Sequence, residues 1–218
     1  VSLLVKICGL TTPESVACAI EAGADMLGLN FYPKSPRYVT PGQAAELAAI
    51  ARRRANVVAL VVDPDDTRLE EISAAVAPDS WQLHGRENAA RLAAVKRLFA
   101  LPVIKALGVS ETADLGEAVA FRDIADSILL DAKPPKDAAY PGGHGKVFDW
   151  SILSALPHDM PFMLSGGLTP ENVGAAIRTL RGMGLSLTGV DVSSGVESAP
   201  GVKDLAKIRA FVAAAREA

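Results

Sequence analysis

The chain has 218 residues, half of them hydrophobic and 22% charged, with 22 Lys plus Arg against 25 Asp plus Glu and a formal net charge of −3. That length can bury one sizeable core and gives no reason to expect two domains. The mildly acidic balance speaks against a nucleic-acid or anionic-membrane surface, while leaving room for a local basic pocket. The apolar opening ends at Lys6, too soon for a signal-peptide core or a membrane span. The two cysteines make no disulfide framework, so a reducing cytoplasm is the expected setting.

Residues 3–7 form an apolar run broken only by Lys6, as expected of a strand buried on both faces, and they lead to Cys8-Gly9. Thr11-Thr12-Pro13-Glu14 then predicts a helix start, with a hydroxyl cap, a proline in the first turn and an acid behind it; Gly23 predicts its end. Residues 26–31 are predicted as a second strand, followed by the double-proline loop Tyr32-Pro33-Lys34-Ser35-Pro36-Arg37. Thr40-Pro41 opens a helix to about Arg54. A third strand at 57–62 precedes a helix at 66–76, and a short fourth strand at 81–83 leads to His84-Gly85 and a helix at 88–99. The fifth strand, 103–107, is followed by a helix capped by Ser110 and running to about Ala120. Residues 128–130 lead to Asp131. Residues 132–147 form the longest irregular stretch, the kind that serves as a lid or binding loop. Asp149 is expected to cap a helix at 150–156, and a seventh strand at 162–164 ends at Ser165. Thr169-Pro170-Glu171-Asn172 repeats the helix-start pattern. The eighth strand is 187–192, and residues 202–215 close the chain as a helix.

The apolar runs stop at Cys8, Asn30, Asp63, His84, Lys105, Asp131, Ser165 and Asp191. A strand–helix unit recurring about every 27 residues is what an eightfold barrel of this length requires. The predicted fold is therefore α/β, a single (β/α)8 TIM barrel over residues 1–218. An open doubly wound sheet has the same alternation, but eight units and the lack of an early glycine-rich dinucleotide fingerprint favour closure. In such a barrel the carboxyl ends of all strands share the face that carries chemistry.

Two glycine-rich turns follow the last two strands, at Gly166-Gly167 and Ser193-Ser194-Gly195. Phosphate-handling barrels hold the anion between these loops on backbone N–H groups; either turn taken singly reads better as an ordinary strand-to-helix connection, and the two together, at these positions, favour phosphate. Cys8 should stand at the barrel mouth, with Lys6 leaving the same face of the strand, and a nearby ammonium favours thiolate. The other reading is a buried structural cysteine. Asp131 can act as an acid if a partly dry pocket raises its pKa, or can simply anchor a loop. Asp63 and Asp191 occupy comparable ends, so position does not single it out. Arg37, in a stiff loop, suits a planar carboxylate, or else lies on the surface. His84 ends strand four and either bonds a rim neighbour or joins the chemistry. The three histidines, at 84, 144 and 158, have no ligand spacing, and no metal or cofactor is expected.

Lys6-Ile7-Cys8-Gly9-Leu10-Thr11, Phe31-Tyr32-Pro33-Lys34-Ser35-Pro36-Arg37, Gln82-Leu83-His84-Gly85, Leu130-Asp131, Ser165-Gly166-Gly167-Leu168, Asp191-Val192-Ser193-Ser194-Gly195-Val196-Glu197 and Pro200-Gly201-Val202-Lys203-Asp204 together resemble the phosphoribosylanthranilate isomerase family, from the first strand almost to the end. The resemblance implies a cofactor-free Amadori rearrangement of N-(5-phosphoribosyl)anthranilate, the third step of tryptophan biosynthesis from chorismate. It implies Cys8 as general base and Asp131 as general acid. Arg37 would hold the anthranilate carboxylate, and Gly166, Gly167, Ser194 and Gly195 the phosphate, with His84, Asp191 and Ser193 as further substrate contacts. The expected partner is the small phosphosugar substrate, with no nucleic acid and no membrane on the grounds of charge given above; the chain is expected as a monomer or homodimer, a choice the sequence does not make.

Three rivals stand beside it. The histidine-pathway isomerase performs the same rearrangement on an aminoimidazole, but resembles two half-barrels with two aspartates. Indole-glycerol-phosphate synthase needs an extra N-terminal segment and a catalytic lysine arrangement not found here. A non-catalytic phosphoribosyl-binding barrel would not need acid and base candidates at strand ends.

Overall fold

The computed structural model describes residues 3–133 and 148–218. Eight parallel strands close into a barrel in chain order: β1 Leu4–Cys8, β2 Met26–Asn30, β3 Asn56–Val61, β4 Ser80–Leu83, β5 Val103–Val109, β6 Ser127–Ala132, β7 Phe162–Leu164 and β8 Leu187–Val192. Around it pack α1 Pro13–Ala22, α2 Pro41–Ala51, α3 Asp66–Val76, α4 Ala89–Phe99, α5 Leu115–Phe121, α6 Val173–Gly182 and α7 Leu205–Arg216. The TIM barrel expected from the strand–helix recurrence is the fold observed. Most of the expected lid, residues 134–147, lies outside the described residues. Among the described residues no helix is long and apolar enough to cross a membrane.

The strands are apolar almost throughout because they are buried on both faces. Their outward side chains form one large shell with the helices, while Met26, Val58, Ile104, Ala106, Leu129 and Met163 form a separate cluster that fills the barrel interior. The helix starts follow their capping chemistry. The hydroxyls of Thr12 and Thr40 accept from the backbone three residues on, with proline in the first turn, and Gly23 ends α1 in the left-handed conformation.

Several boundaries differ from the sequence expectation, each for a local reason. α2 stops at Ala51 rather than about Arg54: Arg52, Arg53 and Arg54 have no carboxylate four residues back, and Arg53 takes φ 65° to turn the chain into β3. Ser110 does not cap a helix. The Asp114 carboxylate accepts from Ser110 N and Oγ and from Glu111 N, so α5 begins only at Leu115 after a short 3₁₀ turn. Residues 150–155 wind as a 3₁₀ helix, begun by Asp149 as expected. The Thr169-Pro170 start is delayed to Val173, because the Asn172 side chain folds back onto Thr169 N and Gly167 O. Residues 202–203 are not helical; around the Pro200-Gly201 turn they pair with Glu197–Ala199 as a small hairpin, and Asp204 then caps α7. β5 runs past Lys105 to Val109, so Lys105 is a mid-strand residue.

Register sets the surroundings of the first strand. Cys8 pairs with Gly28 of β2 on one side, and Lys6 pairs with Asp191 of β8 on the other.

Candidate active site

A cavity opens at the carboxyl ends of the strands, where a barrel of this kind places small-molecule sites. Cys8, Arg37, His84, Asp131 and Asp191 line it, together with Gly166, Gly167, Ser193, Ser194 and Gly195, so every site residue named from the sequence reaches one place. A wider, shallower depression at the opposite end of the barrel is lined by Asp25, Arg53 and Asp79. Asp25 there already serves Val5 N and Arg216, a structural role.

On the β1 side, Lys6 is fully buried inside the barrel, and its ammonium lies 2.7 Å from Asp191 Oδ1. The other Asp191 oxygen accepts from Ser165 Oγ at 2.9 Å. Burial alone would lower the Lys6 pKa; Asp191 and then Cys8 together outweigh it, and the net shift is upward. Asp191 thus borders the cavity with both oxygens engaged, as the counter-charge of Lys6. Cys8 is buried yet stands on the cavity wall. Burial pushes its thiol pKa up, Lys6 pulls it down, Asp191 pushes it up again and Lys203 pulls it down, for a net rise. The thiolate that Lys6 was expected to favour is therefore the minority form: the ammonium is paired with Asp191, and burial wins.

The seat of the thiol is made by an absence. A Cβ on Gly28 would lie 2.7 Å from Cys8 Sγ and 3.0 Å from Cys8 Cα, so only glycine at this strand position lets the sulfur occupy its place.

Asp131, at the end of β6, is 4% exposed. Burial and then Asp191 raise its pKa to about 7, against the opposing pull of the Ala132 N–H, Lys6 and Arg37. Position in the chain did not separate it from Asp63 and Asp191, but its surroundings do. Asp63 turns aside at φ 45° to accept from Arg86 N, and Asp191 is paired with Lys6. Among the described residues Asp131 has no lysine or arginine within ion-pair distance; its neighbour is His84, with Nε2 3.5 Å from Asp131 Oδ2. His84 is mostly but not fully buried, and desolvation lowers its pKa to about 4, so it is neutral at pH 7.

Arg37 is not a surface arginine: it is 4% exposed. Nε and Nη2 grip Glu197 at 2.7 and 2.9 Å, a bidentate pair in the geometry guanidinium favours. Glu197 also holds Lys203 at 2.8 Å, and Lys203 reaches the Ser193 carbonyl at 2.8 Å. Sequence reasoning missed this network. Its one visible trace is a Pro200-Gly201 turn that could bring Lys203 back over Glu197. Also missed was the fully buried Lys105, which holds Glu87 and the Gly85 carbonyl, both at 2.7 Å, and so ties down the turn that carries His84.

The two glycine turns are neighbours. Gly166 and Gly167 take φ of 86° and 65°, and a Cβ on Gly195 would fall on the Leu168 carbonyl of the other turn. Ser194 opens a one-turn 3₁₀ helix, and the Ser193 hydroxyl donates to the Cys8 carbonyl at 3.1 Å. Both turns line the cavity side by side, a place where glycine-rich backbone suits an anion. Among the described residues no three His, Cys, Asp or Glu side chains group as metal ligands.

Residues 5–214 match the family profile described as N-(5'-phosphoribosyl)anthranilate (PRA) isomerase. A relative from Bradyrhizobium sp. (strain BTAi1), named N-(5'-phosphoribosyl)anthranilate isomerase, is 54% identical over 217 residues, covering all of this chain and 97% of that one. The crystal structure of phosphoribosyl anthranilate isomerase from Thermotoga maritima superposes with a TM-score of 0.83 at 37% identity, covering 99% of this chain and all of the other. A crystal structure of such an isomerase in complex with reduced 1-(o-carboxyphenylamino)-1-deoxyribulose 5-phosphate superposes at 0.80 with 34% identity, over 99% of this chain and all of that one.

Proposed function

The chain belongs to the N-(5'-phosphoribosyl)anthranilate isomerase family, and we propose that its cavity isomerises N-(5-phosphoribosyl)anthranilate to 1-(2-carboxyphenylamino)-1-deoxyribulose 5-phosphate, with Asp131 as general acid and Cys8 as general base. The observation that carries these roles is the pairing, in one cavity, of a carboxyl kept protonatable near pH 7 with a thiol. Two proton-transfer groups on separate strands are what the reaction requires.

Asp131 gives its proton to the furanose ring oxygen while the anilino nitrogen lone pair moves to C1′. The C1′–O bond breaks, leaving an open-chain Schiff base. The Cys8 thiolate then takes the C2′ proton, and the electrons of that C–H bond flow toward the nitrogen to give an enaminol. Transfer of the O2′ proton to C1′ yields the ketone, so the reaction is an isomerisation with no redox partner. Gly166, Gly167, Ser194 and Gly195 hold the phosphate on backbone amides, and Arg37 meets the substrate carboxylate. Glu197 holds its Nε and Nη2. Anchoring both anionic ends stretches the sugar between acid and base, which is the positioning contribution.

The experiment follows loss of anthranilate fluorescence with the wild type, Cys8→Ala and Asp131→Asn. Both variants should fold and lose kcat by at least about 100-fold. Turnover near the wild-type rate in either removes that residue's role. Conversion of the aminoimidazole substrate instead would favour the histidine-pathway reading.

A further inference from the structure

By strand alternation the inward positions of β4 and its end are Ser80, Gln82 and His84, a polar column beside the apolar cluster of the barrel interior. Gln82 is 1% exposed; its Nε2 lies 3.2 Å from His84 Nδ1, and its Oε1 is buried with no partner among the described residues. The other ring nitrogen, Nε2, lies 3.5 Å from Asp131 Oδ2. Asp131 Oδ1 is already held by the Ala132 N–H at 2.8 Å. Gln82 and His84 therefore lead from the barrel interior to the rim, reaching the Asp131 carboxyl at the oxygen the backbone does not hold.

We propose that Gln82 and His84 are positioning residues for the acid: the Gln82 amide donates to His84 Nδ1, which fixes the ring proton on Nε2, and that Nε2–H donates to Asp131 Oδ2 as the carboxyl gives up its proton. This rests on the acid role proposed above. A neutral imidazole carries one proton, and the partner of one nitrogen decides that it sits on the other. With the amide reversed, the Gln82 NH₂ group would be buried without an acceptor, and orphaned buried N–H groups are rarer than under-used carbonyls. At 3.5 Å the Nε2–H gives little to a neutral carboxyl; as negative charge develops on Oδ2 the contact shortens and strengthens. An interaction stronger after proton transfer than before it accelerates the transfer.

The charged groups facing this column are Asp191 and Lys6 toward both residues, Arg37 toward Asp131 and Lys105 toward His84. Lys6 is committed to Asp191, Lys105 to Glu87 and Arg37 to Glu197, and among the described residues His84 is the side-chain donor nearest Asp131 Oδ2.

The test reads the tautomer directly. Two-bond ¹H–¹⁵N spectra of histidine-labelled wild type at neutral pH should give His84 as the Nε2–H form; an Nδ1–H form overturns the proposal without any variant. Gln82→Met, nearly isosteric, should mix the tautomers and lower kcat about tenfold with KM within about twofold. It should also move the pH–rate limb set by Asp131 to higher pH, because the ionised carboxyl loses a donor. A mixed tautomer with unchanged kcat and an unmoved limb overturns the proposal; a merely structural role would leave the limb in place. An active Asp131→Asn enzyme would refute the acid assignment itself, an outcome separable from the tautomer reading, which needs no turnover.

Discussion

Gly28→Ala tests whether the placement of the thiol, and not merely its presence, sets the rate. The added methyl would stand 2.7 Å from Cys8 Sγ and 3.0 Å from Cys8 Cα. Non-bonded contacts of this kind settle at about 3.5–4.0 Å, so the sulfur must retreat by roughly 1 Å. Cα belongs to the paired strand and cannot follow easily, since Gly28 also accepts the Gly9 and Leu10 N–H groups at 2.8 and 3.2 Å. The side chain must therefore leave its seat, and a misplacement of about 1 Å costs on the order of 100-fold in rate. Overpacking costs about 1–3 kcal/mol of stability, partly offset by about 0.4–1 kcal/mol from replacing glycine in the unfolded chain. The assay is steady-state anthranilate fluorescence, alongside the alkylation rate of Cys8 mapped by mass spectrometry and a urea unfolding curve. The expected result is kcat down about 100-fold, KM changed little and a folded protein. A folded variant with kcat within about threefold of wild type and an unaltered alkylation rate would refute the reasoning.

The pH profile follows from the two shifts. Asp131, at about 7, ionises before Cys8, whose pKa is raised above its ordinary 9.0. kcat/KM of the free enzyme should therefore rise through about pH 7, as the pair loses its first proton, and fall only at alkaline pH, as the second leaves. Between those limbs the reactive arrangement, thiolate with carboxylic acid, is no more than about one molecule in a hundred, since each pKa unit of inversion is a factor of ten; a rising limb well below pH 6 would contradict this. Asp131→Asn should be more stable than wild type above pH 7, where the buried carboxylate is charged. The advantage, at most about 4 kcal/mol for a pKa raised from 3.8 to about 7, should vanish as pH falls through 7 toward 3.8, because both forms are then neutral. Urea midpoints at pH 8 and pH 4 measure it, and equal gains at both would refute the burial argument. Arg37→Ala should raise KM about tenfold or more at modest stability cost, because Lys203 keeps Glu197 paired; an unchanged KM would remove the carboxylate anchor.

Much of this was legible along the chain because it rests on local chemistry. Thr12-Pro13 and Gly23 bracket α1 through capping and a left-handed turn, and runs of Val, Ile and Leu mark strands wherever both faces are covered. The strand-end rule gathered Cys8, His84, Asp131, Asp191 and the two glycine turns into one cavity. What escaped depends on contacts between distant residues. Nothing near Arg37 announces Glu197, 160 positions later, and no local pattern tells Asp131 from Asp191, since the difference is which one meets Lys6 across the closing seam. The delayed start of α6 escaped for a related reason: Asn172 spends its side chain on pinning the preceding turn rather than opening a helix.

The contact between Lys6 and Asp191 spans 185 positions and joins the first strand to the last. An ammonium carried into the barrel interior by β1 therefore has no counter-ion until β8 has left the ribosome. Ring closure and completion of the reactive pocket are one event. A nascent fragment ending before residue 187 lacks β8, and with it both the carboxylate that neutralises Lys6 and the Ser193–Gly195 turn, so it can carry the thiol and still be catalytically silent.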